Sequence, residues 1–142
     1  GTKKMIKSDP SDYSRIMLSD NIDSIVQKIK KAKTDPHPLP ATKEEAEKRP
    51  EALNLITIFA ALSDQSTDKV LEQYSGKEFS LFKKDLADLA AEKLQPISKE
   101  VTKLMSDQDY LDQIMKTGKD KAIAVAEPVL TKVYDIVGFA NT

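Results

Sequence analysis

The sequence predicts an all-α protein: a helical bundle of about five helices behind an irregular N-terminal loop. Apolar residues recur three and four positions apart through most of the chain after residue 21, which is the spacing of one face of an α-helix. Prolines and glycines fall between these periodic segments, where helices end. Residues 15–18 alternate over a short stretch and predict one strand or an extended connection. The short connections favour helices that run antiparallel to their neighbours.

The first periodic segment predicts a helix of about three turns that begins near Ile22. Asp20 or Asn21 is available as its N-cap, and lysines fill its last turn, where the helix dipole favours them. Residues 35–40 then contain three alternating prolines, which remove backbone donors and hold the chain extended. We expect a linker there.

The central part predicts the helix that forms the core. Thr42 and Glu45 have the spacing of a capping box and predict a short helix, which Pro50 ends. Residues 53–62 are apolar on nearly every side, as expected of a helix buried in a bundle. A further short helix is predicted over residues 67–75.

Two long helices are predicted in the second half. Gly76 is the expected left-handed end of the preceding helix, and helical spacing resumes at Phe79. It continues across Pro96, so we expect that helix to kink or restart there. A second apolar stripe covers residues 111–136 and stops at Gly138.

Composition excludes several classes of protein. A net charge of −1 and a pI near 5.9 exclude a uniformly basic protein, so a polyanion must be met by a local patch. The absence of cysteine excludes a disulfide scaffold and a thiol nucleophile. No apolar run reaches the ~20 residues that span a bilayer, and we expect a soluble, cytoplasmic protein with no membrane partner. The start at Gly1, without methionine, is expected to be a cut edge.

The N-terminal loop carries the residues that predict phosphate chemistry. Lys3, Lys4 and Lys7 lie within five residues and are followed by Ser8. Ammonium groups on a polar loop can follow a polyphosphate whose charge shifts during a reaction, and the serine hydroxyl adds a hydrogen bond. Taken alone, three lysines in such a loop are more often simply solvated.

The form of this loop resembles a known signature. Lys4-Met5-Ile6-Lys7-Ser8 is similar to the Lys-Met-Ser-Lys-Ser loop of class I aminoacyl-tRNA synthetases. The likeness to bacterial and mitochondrial tryptophanyl-tRNA synthetases extends over the whole chain. It rests on Ser8-Asp9-Pro10, Ser14-Arg15-Ile16, Lys31-Ala32-Lys33-Thr34-Asp35, Arg49-Pro50-Glu51 before Asn54-Leu55, Phe82-Lys83-Lys84-Asp85-Leu86, Pro96-Ile97 and Val137-Gly138-Phe139.

The resemblance implies roles for the loop residues. Lys7 would be the catalytic lysine that stabilises the transition state as the carboxylate of tryptophan attacks the α-phosphate of ATP. Lys4, Met5, Lys7 and Ser8 would bind ATP, which the family uses with Mg²⁺. Ile6 departs from the pattern, since the family's usual serine is small and forms hydrogen bonds, and this puts loop closure in doubt. The other half of the nucleotide site would lie upstream, so the chain alone is expected to be inactive.

The resemblance also implies two domains and a set of partners. Residues 1–20 would belong to the catalytic domain, and residues 21–142 would form a helical domain that binds the anticodon of tryptophan tRNA. The parent enzyme would be a homodimer that binds ATP and tryptophan. Lysines cluster near the end of the first helix and at the start of another, but the helix dipole favours the same placement. These lysines are Lys28, Lys30, Lys31, Lys33, Lys83 and Lys84, and the aromatic candidates for base stacking, mostly expected in the core, are Tyr74, Phe79, Phe82, Tyr110 and Tyr134.

Two other functions remain open at this stage. The chain is also compatible with a class I synthetase of another amino-acid specificity, or with a helical protein-interaction module whose basic loop is incidental. His37, between two prolines, is expected to be an exposed linker residue. Asp107, Asp109 and Asp112 lack the glycine and glutamate of a calcium loop and are expected to be helix-start acids, with no metal site.

Overall fold

The computed structural model describes residues 8–139. Within this range the chain forms one 3₁₀ turn at Asp12–Ser14 and six α-helices. The helices are α1 (Ile22–Lys31), α2 (Lys43–Glu47), α3 (Pro50–Ser63), α4 (Thr67–Tyr74), α5 (Phe79–Ser106) and α6 (Gln108–Val137). No strand occurs among the described residues, so the all-α prediction is confirmed and residues 15–18 are a connection.

The helices begin and end where the sequence signals them. Asn21 is the N-cap of α1, because its side chain accepts a hydrogen bond of 2.8 Å from the backbone N–H of Ser24. The Thr42 hydroxyl accepts from the N–H of Glu45 at 3.2 Å, as the capping-box spacing predicts. Pro50 follows α2 and is also the first residue of α3, a position at which the missing N–H of proline costs no intrahelical hydrogen bond.

The chain divides into two compact units, with the division after Val101. The core of the first unit contains side chains from α1 to α5. Its centre is a ring cluster in which Phe59, Tyr74 and Phe82 lie with centroids 4.9–5.4 Å apart. Phe82 is fully buried, as are Ile25, Ile56, Val70 and Leu86.

The proline linker is fixed by one arginine. Arg49 forms a two-pronged pair with Asp35, with nitrogen–oxygen distances of 2.9 and 2.6 Å, and donates to the carbonyls of His37 and Pro38. Backbone hydrogen bonds also join Leu39 to Lys77 at 2.9 Å and to Gly76 at 3.1 Å. The extended linker is therefore held against the turn that precedes α5.

Two helices continue through internal prolines. Pro96 lies inside α5 and Pro128 inside α6, yet each helix is continuous over its full range. Of the two alternatives that the sequence left open at Pro96, a restart is wrong. The lost hydrogen bond at each proline is outweighed by the bonds of the turns on either side.

The last helix exposes its apolar stripe. None of the residues of α6 is buried; Leu111 and Tyr134 are half-buried, and its exposed apolar side chains range from Ile123, 42% exposed, to Ile136, 86% exposed. No helix among residues 8–139 is both long and apolar enough to cross a bilayer.

Candidate functional site

The residues that the sequence assigns to the phosphate loop are mostly outside the described part of the chain. Lys4, Met5 and Lys7 precede residue 8, and their catalytic and ATP-binding roles stay predictions. Ser8 is described and lies exposed in a turn. The structure therefore describes the downstream base of the candidate loop.

That base is held together by the carboxylates of Asp9 and Asp12 and by the guanidinium of Arg15. The Asp9 carboxylate accepts a 2.7 Å hydrogen bond from the N–H of Ser11, which closes a turn. Arg15 reaches back along the chain and donates to the carbonyl of Asp9 at 3.0 Å and to the carboxylate of Asp12 at 3.2 Å. Because one side chain binds both ends of the turn, residues 9–15 form a compact loop without a hydrophobic core of their own.

A buried lysine ties this compact loop to α1. The side chain of Lys28 is only 6% exposed, and its ammonium lies 2.5 Å from a carboxylate oxygen of Asp20 and 3.8 Å from one of Asp12. Burial alone would raise the pKa of Asp20, but the hydrogen bond from Lys28, with the N–H of Met17, lowers it below its ordinary value. Asp20 is thus held as a carboxylate beside a buried cation.

Asp20 is also tied to α5 through its backbone. Its carbonyl accepts a 2.8 Å hydrogen bond from the hydroxyl of Ser98, a residue 78 positions later in the sequence. Lys28, Asp20 and Ser98 therefore join the connection, α1 and α5 at one point. We call the set Asp12, Arg15, Asp20, Lys28 and Ser98 the polar anchor.

The lysines that the sequence grouped as one basic cluster divide into two kinds. Lys28 is part of the polar anchor, and Lys83 donates a 2.5 Å hydrogen bond to the carbonyl of Ala32, the C-cap of α1. Burial lowers the pKa of Lys83, as expected of an ammonium shielded from water. Both serve the fold, so they are not available to a polyanion.

The remaining lysines of the cluster face solvent. Lys30, Lys33 and Lys84 are exposed. Lys31 is exposed as well, and its ammonium lies 4.7 Å from the ring centre of Tyr13 and 3.1 Å from its hydroxyl. Tyr13 is itself 49% exposed, so an aromatic face stands beside a group of cations, which are the two elements that single-stranded nucleic acid requires.

The other aromatic candidates divide between the core and the surface, and the histidine lies in the linker. Tyr74, Phe79 and Phe82 are buried in the core, as expected, whereas Tyr110 is 45% exposed. His37 is exposed in the linker, and its backbone carbonyl and N–H contact Arg49 and Asp35.

The acidic cluster is also structural. Asp107 is the N-cap of α6, accepting from the N–H of Tyr110 at 3.0 Å. No group of three or more histidines or acids is placed to hold a metal ion among residues 8–139.

Sequence reasoning missed the polar anchor and Tyr13. The sequence groups Lys28 with the other lysines at the end of the first helix, although it lies three residues after the buried Ile25 and next to the buried Ile29. A lysine on the apolar face of a helix was the available signal, because a buried ammonium requires a partner. No local pattern marks Asp20 as that partner.

Comparison with known proteins agrees with the resemblance. Residues 1–99 match the family model described as tRNA synthetases class I (W and Y). The chain is 50% identical over 139 residues to tryptophan–tRNA ligase of Rhizobium meliloti, covering 98% of this chain and 39% of the relative. It is also 50% identical to tryptophan–tRNA ligase of Caulobacter vibrioides, covering 98% of this chain and 40% of that protein.

A solved structure supports the same assignment. The crystal structure of tryptophanyl-tRNA synthetase from Mycoplasma pneumoniae superposes with a TM-score of 0.67 at 26% identity, covering 99% of this chain and 43% of that one. The chain spans about two fifths of the length of the curated relatives named above. By its sequence match and its fold, the chain belongs to the tryptophan and tyrosine family of class I tRNA synthetases.

Proposed function

We propose that this chain is the part of a tryptophan–tRNA ligase that supplies the ATP-binding signature loop and the helices that bind the tRNA anticodon. The observation that carries the proposal is the 50% identity to tryptophan–tRNA ligases across 98% of the chain, loop included. The full-length protein would activate tryptophan with ATP and Mg²⁺, transfer it to its tRNA, and act as a cytoplasmic homodimer. Tryptophan-dependent chemistry is favoured over another specificity because both curated relatives named above are tryptophan enzymes.

In this proposal the loop lysines act on phosphate charge. Lys7 stabilises the charge that develops on the α-phosphate in the transition state, while Lys4, Met5 and Ser8 hold the nucleotide and the departing pyrophosphate. The turn that Asp9 and Arg15 build directly after Ser8 supports this assignment, since it gives the loop a fixed downstream end. Ile6 replaces a hydrogen-bonding residue, so its substitution by serine is expected to strengthen ATP binding.

The test is tryptophan-dependent exchange of pyrophosphate into ATP by the full-length protein. We expect Lys7→Ala to lower kcat by about 10²–10³, the usual cost of removing one preorganised charge donor from a transition state. Lys99→Ala is the matched control, because this lysine is exposed on α5 and lies outside the loop. Unchanged exchange in Lys7→Ala would overturn the assignment and favour an interaction module. Exchange driven by tyrosine and not by tryptophan would identify the other specificity.

Residues 21–142 are proposed to bind the anticodon arm. The support is the exposed side chains of Lys30, Lys31, Lys33 and Lys84, of which Lys31 lies against the half-exposed ring of Tyr13 in the preceding connection. Fluorescence anisotropy of labelled tryptophan tRNA, beside an anticodon-mutated control, tests this at two salt concentrations. We expect Lys30→Ala with Lys33→Ala to weaken binding and to reduce the salt slope by about 2, one unit for each lost phosphate contact.

The chain alone is expected to bind tRNA weakly and to form no adenylate, since the proposal places the rest of the nucleotide site elsewhere in the full-length protein. Tryptophan-dependent exchange by the 142-residue chain alone would contradict this expectation. Equal binding of both tRNAs would mean that the helices do not read the anticodon by themselves.

A further inference from the structure

The connection between the signature loop and α1 is held by polar contacts. Ile16, Met17 and Leu18, the apolar side chains of this connection, are 37%, 40% and 55% exposed. Hydrophobic burial therefore contributes little to its position. The contacts that fix it are those of the polar anchor, which joins it to α1 through Lys28 and to α5 through Ser98.

Lys28 is the centre of that anchor. It bridges two carboxylates on either side of the connection, Asp12 at 3.8 Å and Asp20 at 2.5 Å, from a side chain that is 94% buried. Asp20 in turn accepts from the N–H of Met17 at 2.8 Å, so one carboxylate fixes both the connection's backbone and its link to α1. Removal of Lys28 would leave Asp20 without its cation in a site that is 13% exposed, and the connection would rearrange to bring that charge to water.

The anchor lies close to the loop in sequence. Asp12 is five residues after Lys7, and Arg15 links Asp12 back to the carbonyl of Asp9, two residues after Lys7. A displacement of the connection would therefore also displace the signature loop, because the turn between them is short and is held by its own hydrogen bonds. Catalytic groups lose activity steeply when they are misplaced by about 1 Å.

We propose that Lys28 and Asp20 are positioning residues for the signature loop. They hold its downstream end against α1 and so determine how far Lys7 extends toward ATP. The inference rests on the proposed function and extends it to two residues outside the loop. In this proposal neither residue contacts substrate. Their effect is predicted to be specific to ATP, because the loop contacts ATP and not the amino acid or the anticodon.

The experiment uses the full-length protein with Lys28→Met, which keeps the length of the side chain and removes its charge. We expect at least a tenfold loss in kcat/KM for ATP, with the KM for tryptophan and the affinity for tRNA changed less than twofold. Asp20→Asn is the second variant, since an amide keeps an acceptor for Met17 but weakens the link to Lys28. Lys99→Met is the matched control, as an exposed lysine adjacent to Ser98 on α5.

A double-mutant comparison separates positioning from general structural damage. If Lys28 acts through Lys7, then Lys28→Met costs tenfold when Lys7 is present and less than threefold in a Lys7→Ala background. Equal losses in both backgrounds, or a parallel rise in the KM for tryptophan, would overturn the inference. Should Lys28→Met fail to fold, the same comparison is made with Asp20→Asn.

The outcomes also separate this inference from the proposed function. If Lys7→Ala leaves exchange unchanged, the signature-loop assignment fails. If Lys7→Ala lowers exchange and Lys28→Met and Asp20→Asn do not, the assignment stands and the positioning role fails.

Discussion

Replacement of Arg49 by lysine tests whether a single guanidinium holds the proline linker. Arg49 donates two hydrogen bonds to Asp35, at 2.9 and 2.6 Å, and one each to the carbonyls of Pro38 and His37, at 2.7 and 3.1 Å. Lysine keeps the charge but cannot form the planar, two-pronged pair. The side chains of Arg49 and Asp35 are 21% and 30% exposed, so solvent screens the pair in part. We expect Arg49→Lys to lower the free energy of unfolding by about 1–2 kcal/mol.

The pH dependence gives this prediction a second, independent arm. The hydrogen bond from Arg49 is the main cause that lowers the pKa of Asp35 below its ordinary value of 3.8, against the opposing effect of burial. A carboxyl whose folded pKa is depressed stabilises the fold above its unfolded pKa, and the stabilisation is lost as the pH falls through the folded pKa. The deficit of Arg49→Lys should therefore be full at pH 7 and shrink below about pH 4.

The measurement is urea unfolding followed by near-ultraviolet circular dichroism, which reports on the packed rings of the first unit. Asp35→Asn and the double variant complete a cycle in which the coupling energy should be at least about 1 kcal/mol at pH 7. A coupling below about 0.5 kcal/mol, or a deficit of the same size at pH 3 and pH 7, would refute the argument that the two-pronged pair fixes the linker.

The core and the helix ends give three more expectations, each measured by urea unfolding. Burial and the hydrogen bond to Asp85 raise the pKa of Tyr74 to about 12, so wild-type stability should fall between pH 10 and 12 as the unfolded tyrosine ionises first. At pH 7, Tyr74→Phe should be less stable than the wild type by about 1–2 kcal/mol. This difference in the free energy of unfolding should shrink between pH 10 and 12, and a constant difference would contradict the assignment. Phe82→Ala should cost about 3–5 kcal/mol, while Leu81→Ala, at a position 45% exposed, should cost under about 1. Asp64→Gly should stabilise the fold by about 0.5–1 kcal/mol, because Asp64 ends α3 at a φ of 55°, where only glycine is unstrained. A loss of stability would mean that contacts of the aspartate side chain outweigh this backbone strain.

Sequence reasoning predicted the features that local chemistry determines. The N-cap at Thr42 and the left-handed glycine at Gly76 depend on residues a few positions apart, and both occur as predicted, although the Glu45 carboxylate accepts from the N–H of Ala41 and not from that of Thr42. The apolar segment 53–62 also predicted the central helix correctly, because a helix that is apolar on all sides has few other stable environments.

The features that were not predicted depend on partners distant in sequence. The hydrogen bond from Ser98 to Asp20 spans 78 positions, and that from Lys83 to Ala32 spans 51. No residue near either donor in the sequence indicates which carbonyl accepts its hydrogen bond. The continuity of α5 through Pro96 is a different case: the local penalty was correctly identified, but the cooperative gain of a 28-residue helix exceeds it.

The division of the lysines changes what a tRNA surface on this chain must be. The sequence places lysines near the end of α1 and at the start of α5, but Lys28 is buried beside Asp20 and Lys83 donates to the carbonyl of Ala32 at the end of α1. Of the lysines that remain exposed, Lys30, Lys31 and Lys33 lie at and just after the C-terminal end of α1, Lys84 lies on α5, and Lys31 contacts the ring of Tyr13. Tyr13 belongs to the same connection that the polar anchor holds, since the 3₁₀ turn at Asp12–Ser14 contains it. Under the proposed function, the connection between the signature loop and α1 would carry a nucleotide-stacking ring at Tyr13 and the downstream base of an ATP-binding loop. The positioning proposal predicts that Lys28→Met impairs ATP use while tRNA affinity changes less than twofold. A larger loss of tRNA affinity in Lys28→Met would contradict that specificity and would indicate that Lys28 also holds Tyr13 in a tRNA-binding position.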